Sequence, residues 1–348
     1  MQSEWQTRLE QFQANIHDGV VTDFAHPEQE RQAVSGNIIS DLSHYGLISA
    51  EGLDTTDFLQ GQFSNDVRQV DADTSKLNAY CSPKGRILAS FRLFYFKDKY
   101  FLEMPQALIE PTLKRLRMFV MRSQVTLENA SDEMSRFGLA GPDSEQYLQA
   151  LGLNYPADTD GVSQNANILV IRIPGPTTRF EIHGPVAELG EVWTRLADQA
   201  TAVGAEVWSL LDIQAGLPVI LPQTVESFVP QMVNLELING VSFTKGCYPG
   251  QEIVARMQYL GKLKKRMYRA HIDCTDIIQP GDALFSGSSD NTQSIGNIVN
   301  ASRSPSGGYD VLAVIQITEV EQGQIRLGSK NGSILEINEL PYSLSGKT

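Results

Sequence analysis

The chain has 348 residues, 41% of them hydrophobic and 20% charged, with a formal net charge of −13 at pH 7. That length exceeds one ordinary core, so two or three domains are expected, and the composition is that of a soluble globular protein rather than a disordered one. The acidic balance argues against broad binding to a phosphate backbone, though it leaves room for a local basic patch. The three cysteines, Cys81, Cys247 and Cys274, are odd in number and widely spaced, with no C-x-x-C. This speaks against a disulfide framework and against a self-contained zinc or cluster motif, and it fits a reducing, cytoplasmic setting. The opening stretch has no apolar h-region, and no run of about 20 apolar residues follows, so neither a secretory signal nor a membrane span is expected.

In chain order, Trp5, Leu9, Phe12 and Ile16 recur at helical spacing before Gly19, which predicts an opening amphipathic helix. Asp54 precedes "TTDFLQGQ", which predicts a short helix capped by that carboxylate. "NAYCSPKGRILASFRLFYFKDKYFLEM" predicts strands up to Tyr80, from Ile87 to Phe96 and from Tyr100 to Met104. "PTLKRLRMFVMR" predicts a helix with Leu113, Leu116, Phe119 and Val120 on one face and Pro111 in the first turn. Lys114, Arg115, Arg117 and Arg122 lie on the rest, as a solvated face or an anion-attracting rim. Strands are expected over Phe137 to Gly141 and Ile168 to Ile173, and a helix over "VAELGEVWTRLADQA".

"EVWSLLDIQAGLPVI" predicts a helix with Val207, Leu210, Leu211 and Gln214 on one stripe, ended by Gly216 and Pro218. Trp208 lies about 100° off that stripe, near Asp212. From Met267 the texture changes to short strands with turn signals at Ser306-Gly307-Gly308 and Asn331-Gly332. The expected class is therefore α+β, with a main body over residues 1–262 and a small all-β domain over 263–348, divided at the basic stretch Gly261 to Arg266.

One stretch stands out for chemistry. In "TKGCYPGQEIVARMQYLGKLKKR", Pro249 and Gly250 read as a turn entering a helix, with Pro249 at its first position and Glu252 in its first turn. Glu252 and Arg256 are spaced for an i, i+4 pair. Cys247 then sits just before a helix N-terminus with Lys245 two residues away, and both features favour thiolate over thiol. A small apolar residue in a tight turn is the plain alternative. Trp208 either extends the core or offers a flat face to a planar ligand, and Tyr45 is a similar aromatic. The five histidines are scattered without an H-x-x-x-H spacing, no phosphate-binding glycine loop is present, and no metal site is assigned.

"KGCYPGQEIVAR" resembles the K-G-C-Y-x-G-Q-E signature of the YgfZ family of folate-binding proteins. "FLQGQFSNDV", "CSPKGRILASFRLF", "WSLLDIQAGLPVI", "FVPQMVNLELINGVSFTKGCYPGQE" and the late "LPYSL" resemble other blocks of that family, leaving only the first forty or so residues without a clear counterpart. The family in turn resembles the glycine-cleavage T-protein, an aminomethyltransferase that uses tetrahydrofolate. This implies a multidomain α+β body around a central folate channel and a C-terminal small antiparallel β-barrel. The T-protein's adjacent hairpin aspartates are matched here by Ala89 and Ser90, so its carboxylate chemistry is not carried over and enzymatic turnover is left open.

The family's folate-associated aromatics match Tyr45 and Trp208, with Tyr standing where Trp is common. Gln214 stands where many relatives carry Glu, keeping a hydrogen-bonding amide without the charge. Arg256 completes the expected folate-binding set, and Cys247 with Lys245 forms the expected reactive set.

The resemblance implies tetrahydrofolate or another folate as cofactor, and a role in iron–sulfur cluster assembly or repair that supports tRNA thiomethylation. Partners would be iron–sulfur enzymes such as tRNA methylthiotransferases, and direct contact with nucleic acid is not the expected mode. One cysteine cannot ligate a cluster alone. Two other readings stay open: a folate-dependent one-carbon transferase or demethylase, and a non-enzymatic RNA- or protein-binding module using the basic residues near 114–122 and 262–266.

Overall fold

The computed structural model describes residues 1–259, 261–287 and 293–344. It divides into two compact units. The first comprises Met1–Leu59, Val67–Lys76 and Phe91–Leu211; the second comprises Gln60–Asp66, Leu77–Ser90 and Asp212–Thr348. No helix among the described residues is long and apolar enough to cross a membrane.

The first unit opens on a helix, Ser3–Gln11, that is shorter than its periodicity suggests. Gln13 takes a φ of 67°, which ends the helix, and Ile16 lies instead in a hairpin formed by Asn15–His17 and Val20–Asp23. Asp18 and Gly19 both have positive φ, so the Asp-Gly pair is a hairpin turn and not a helix stop. Trp5 and Leu9 from the helix are fully buried in a core with Phe137, Phe180 and Trp193. The Trp5 indole N–H donates to Asp41 Oδ1 at 2.7 Å, so the buried ring satisfies its one donor.

A six-stranded sheet forms the floor of this unit, in the order Val162–Asn165, Ile168–Ile173, Arg179–Gly184, Ser135–Ala140, Ile38–Asp41 and Thr201–Val203. All its pairs are antiparallel except the last, which is parallel. Tyr45–Glu51 pairs antiparallel with both Lys99–Pro105 and Thr126–Asn129, and Arg92 to Phe96 pairs with Lys99 to Glu103. Lys97 and Asp98 both take positive φ in the two-residue turn between those last strands. The helix Ile109–Val120 buries Leu113 and Leu116 as its pattern demands, but Phe119 is 45% exposed. Asp54 does not cap the Thr55–Gln60 helix through its carboxylate; Oδ2 accepts the backbone N–H of Gln124 at 2.7 Å instead.

The second unit carries a curled six-stranded antiparallel sheet, a half-barrel at the C-terminus. Its order is Ile325–Leu327, Ala283–Ser286, Gly296–Arg303, Tyr309–Gln316, Lys265–Ile272 and Leu335–Asn338. The long strands alternate inward residues such as Ala270, Ile272, Val311, Ala313 and Ile315, which close one apolar core. Glycine is required where Gly216 ends the Ala205–Gln214 helix at φ 66°: a Cβ there would lie 2.7 Å from the Tyr342 ring. The Tyr342 hydroxyl donates to the Gly216 carbonyl at 2.8 Å, which gives the late "LPYSL" segment its structural task.

Candidate functional site

The loop that carries Cys247 belongs to the second unit and is held from behind. Lys245 Nζ donates to the carbonyls of Gln60 at 2.7 Å, Phe63 at 2.5 Å and Asn65 at 2.9 Å. Three bonds match the three protons of an ammonium group, and the ring of Tyr248 lies 5.2 Å from the same nitrogen. Lys245 and Tyr248 are both buried, while Cys247 between them is exposed. The loop thus hides two anchors and presents one thiol.

The two reasons that the sequence offers for an activated thiol are both altered. The ammonium of Lys245 faces backbone carbonyls. The helix begins at Gln251, four residues beyond Cys247, because Gly250 takes a φ of 82° that no helical residue adopts. Pro249 is therefore outside the helix. Gly250 has another duty: a Cβ there would meet Ser82 O at 2.5 Å and Gly85 N at 2.7 Å, so only glycine lets the 82–85 hairpin turn approach the loop. Glu252 and Arg256 are both exposed, and among the described residues no ion pair joins them.

Cys81, at the end of its strand, is buried, and burial pushes its thiol up to about 12. Burial first, and Cys81 second, raise the Tyr248 phenol above its usual range. Ala89 and Ser90 lie on the returning strand. The backbone N–H of Ile220 donates to Ser90 Oγ at 3.0 Å, and Ser90 Oγ donates to the Pro218 carbonyl at 3.4 Å. The hydroxyl is thus a structural tie on the segment after Gly216. Gln214 is half-buried; its backbone carbonyl accepts Arg269 Nη1 at 3.4 Å, and its side-chain amide makes no hydrogen bond among the described residues.

In the first unit Tyr45 and Trp208 come together. Tyr45 is half-buried and packs against the apolar cluster that contains Trp208. The Trp208 ring is fully buried, lies against Gly138 so closely that a Cβ there would clash with its six-membered ring, and has the Arg179 guanidinium 5.4 Å from its centroid. It offers no open face, so of the two sequence readings the core one describes the ring. Its Nε1 is buried without a hydrogen-bond partner. The His44 ring lies 4.4 Å from that of Tyr45, tilted by 42°, and both its ring nitrogens are sealed from solvent. Burial first, then the Arg136 charge, lower its pKa to about 3, so the imidazole is neutral.

A feature that periodicity does not disclose lies nearby. Glu103, Glu181 and His183 are buried with their ligand-type atoms within 4.8 Å of one another. His183 Nε2 is 3.7 Å from Glu103 Oε2, and Arg136 and Arg92 each stand 4.0 Å from Glu103 and Glu181 respectively. Arg92 also pairs with Asp160 at 2.6 Å. Burial, then the Glu181 charge, raise the Glu103 carboxyl well above the usual carboxylate range. The two guanidiniums already balance the charge, which makes this an ionic core between the sheets of the unit. Its trace in the sequence is a charged residue at an inward position of apolar strands, as in "YFLEMP" and "RFEIHG".

Comparison with known proteins fits this architecture. The solved structure of the glycine cleavage system aminomethyltransferase T from Bartonella henselae aligns with a TM-score of 0.77 over 97% of this chain and 96% of its own, at 16% identity. The fold is therefore that of the T-protein class. Residues 5–238 match the GCVT N-terminal domain model. The tRNA-modifying protein YgfZ of Colwellia psychrerythraea is 32% identical over 304 residues, covering 87% of this chain and 93% of its own. That of Yersinia pseudotuberculosis is 29% identical over 304 residues, covering 87% and 92%. The chain belongs to the YgfZ family.

Proposed function

We propose that this protein is a folate-binding accessory factor that supports iron–sulfur-dependent tRNA modification, with Cys247 as its functional thiol. The observation that carries the reading is the Cys247 loop: an exposed thiol between two buried anchors, in a chain whose relatives are named tRNA-modifying proteins. A loop stapled at three carbonyls costs little further entropy when a partner engages its tip. The thiol acts as one contribution to a ligand set or repair reaction completed by a partner iron–sulfur enzyme.

Support for folate comes from the GCVT domain and from residue chemistry. Tyr45 supplies a half-exposed aromatic plane with Trp208 in the cluster behind it. Gln214 supplies an unengaged amide edge with both donor and acceptor, as a pterin requires. Exposed Arg256 suits the anionic glutamate tail. Aminomethyl transfer is not part of the proposal, because the Ala89 side chain has no polar atom and the Ser90 hydroxyl is held by the Pro218–Ile220 backbone.

The test has two arms. Calorimetry with tetrahydrofolate is expected to show binding by the wild type and weaker binding by Tyr45→Ala. Cys247→Ala is expected to fold and bind folate normally while failing to restore thiomethylated nucleosides in a strain lacking the protein. Full restoration by Cys247→Ala removes the thiol from the function, and no binding to the wild type removes folate.

A further inference from the structure

The 20 residues from Ile253 to Ile272 contain Arg256, Lys262, Lys264, Lys265, Arg266 and Arg269 and no aspartate or glutamate, in a chain whose net charge is −13. This run begins six residues after Cys247. Arg266 is neutralised by Glu236 at 2.9 Å, and Arg269 leans on the Gln214 carbonyl. The other four have no carboxylate partner among the described residues, and Arg256, Lys262 and Lys264 are exposed. A fifth cation, Arg86, lies close enough to Lys265 that burial first, and this guanidinium second, hold the Lys265 ammonium below its usual range. Cations that repel one another in this way are stabilised by an incoming anion.

Between Arg256 and Lys262 stands Tyr259, 69% exposed. Its ring is braced edge-on by Phe243 at 6.1 Å, so the phenol is held out from the surface with a supported flank. Arg256 and Tyr259 are three residues apart on the Gln251–Tyr259 helix and share a face, with Glu252 one turn earlier as the only acid on that helix. An exposed aromatic between unpaired cations is the chemistry of a single-stranded nucleic-acid platform: the ring stacks on a base and the cations track the phosphates. An anionic lipid surface would want several protruding aliphatic side chains here, and the helix exposes only Ile253 among large aliphatics, at 39%.

We propose that the surface formed by Arg256, Tyr259, Lys262, Lys264 and Lys265, with Arg86 beside it, binds a single-stranded segment of RNA and brings that RNA next to the Cys247 loop. This deepens the tRNA-modification reading above, on which it rests, by making the protein contact the RNA itself and not only a partner enzyme. The bulk negative charge opposes it little, since charges beyond about 8 Å are largely screened at physiological salt.

The test is fluorescence anisotropy of an unmodified tRNA transcript with the full chain at three KCl concentrations, beside heparin and vesicles of phosphatidylglycerol and phosphatidylcholine. Four to five cations predict a log–log salt slope of about −3 for the single-stranded contact. The double variant Lys262→Ser with Lys264→Ser is expected to flatten that slope by about 1.4, and Tyr259→Ala to weaken binding about five- to a hundredfold without changing it. The surface assignment is overturned if both variants bind tRNA as the wild type does. It is equally overturned if heparin or the vesicles bind as tightly as tRNA and Tyr259→Ala changes nothing, which would indicate a generic anion or lipid surface. Tetrahydrofolate calorimetry on the same variants separates the two claims: RNA binding lost with folate binding kept supports the surface, whereas absent folate binding in the wild type fails the folate reading alone.

Discussion

The ammonium of Lys245 donates to the carbonyl of Gln60, 185 residues earlier in the chain, at 2.7 Å. That bond, with its companions to Phe63 and Asn65, ties the most distinctive loop of the protein to the Gln60–Asp66 segment of the same unit. Replacing Lys245 by Met keeps the stem and removes the three donors, leaving buried carbonyls unsatisfied. A loss of about 2–4 kcal/mol in urea unfolding is expected. Lys245→Arg is not expected to recover it, because a planar fork does not match three carbonyls arranged around a tetrahedral ammonium.

The close fit of Gly138 against Trp208 makes a second expectation. Gly138→Ala places a methyl group 2.3 Å from the fully buried Trp208 ring, so the strand or the indole must shift. Overpacking of this kind costs about 1–3 kcal/mol. A shifted tryptophan emission spectrum with a reduced unfolding midpoint is the expected readout, and an unchanged midpoint would show that the ring moves freely.

Stability should respond to pH in two opposed ways. His44 titrates near 3 in the folded chain against an ordinary value of 6.5, and His183 is also held well below 6.5. A depressed folded value means that the unfolded chain binds the proton first. Stability is then fully present above about 6.5 and is lost as pH falls, by at most about 1.4 kcal/mol per unit for each group. Glu103 is raised, so its contribution is full below about 4.5 and declines as pH rises through its folded value. Urea titrations across pH 4–8 should show His44→Gln flattening the acid limb. Glu103→Gln should gain on the wild type as pH rises; parallel curves for either variant would contradict the assignment.

The three cysteines should separate by accessibility. Cys247 is exposed, Cys274 partly so and Cys81 buried with its thiol pushed up to about 12. Brief iodoacetamide treatment of the native protein, followed by peptide mass mapping, should label Cys247 first and Cys81 only after denaturant is added. Early labelling of Cys81 would mean that its strand opens readily.

Much of this protein is legible in its residues taken in order. The strand and hairpin pattern from Lys76 to Pro105, the helix ended by Gly216, the late run of short strands and the Cys247 signature all rest on local rules: side-chain period, turn chemistry and motif spacing. Where two local signals competed, order alone was not enough. The 3.6-residue spacing of Trp5 to Ile16 pointed to one long helix, and the Asp18-Gly19 turn took Ile16 into a hairpin. What only the tertiary structure decided is where charges and planes point. Lys245 finds three backbone carbonyls; Trp208 is fully buried; Ser90 ties down the backbone of Ile220; Glu103, Glu181 and His183 meet in the interior. Each of these depends on partners from strands or loops far apart in sequence. A side chain's exposure and ionisation are set by what the fold brings beside it, and no local period encodes that.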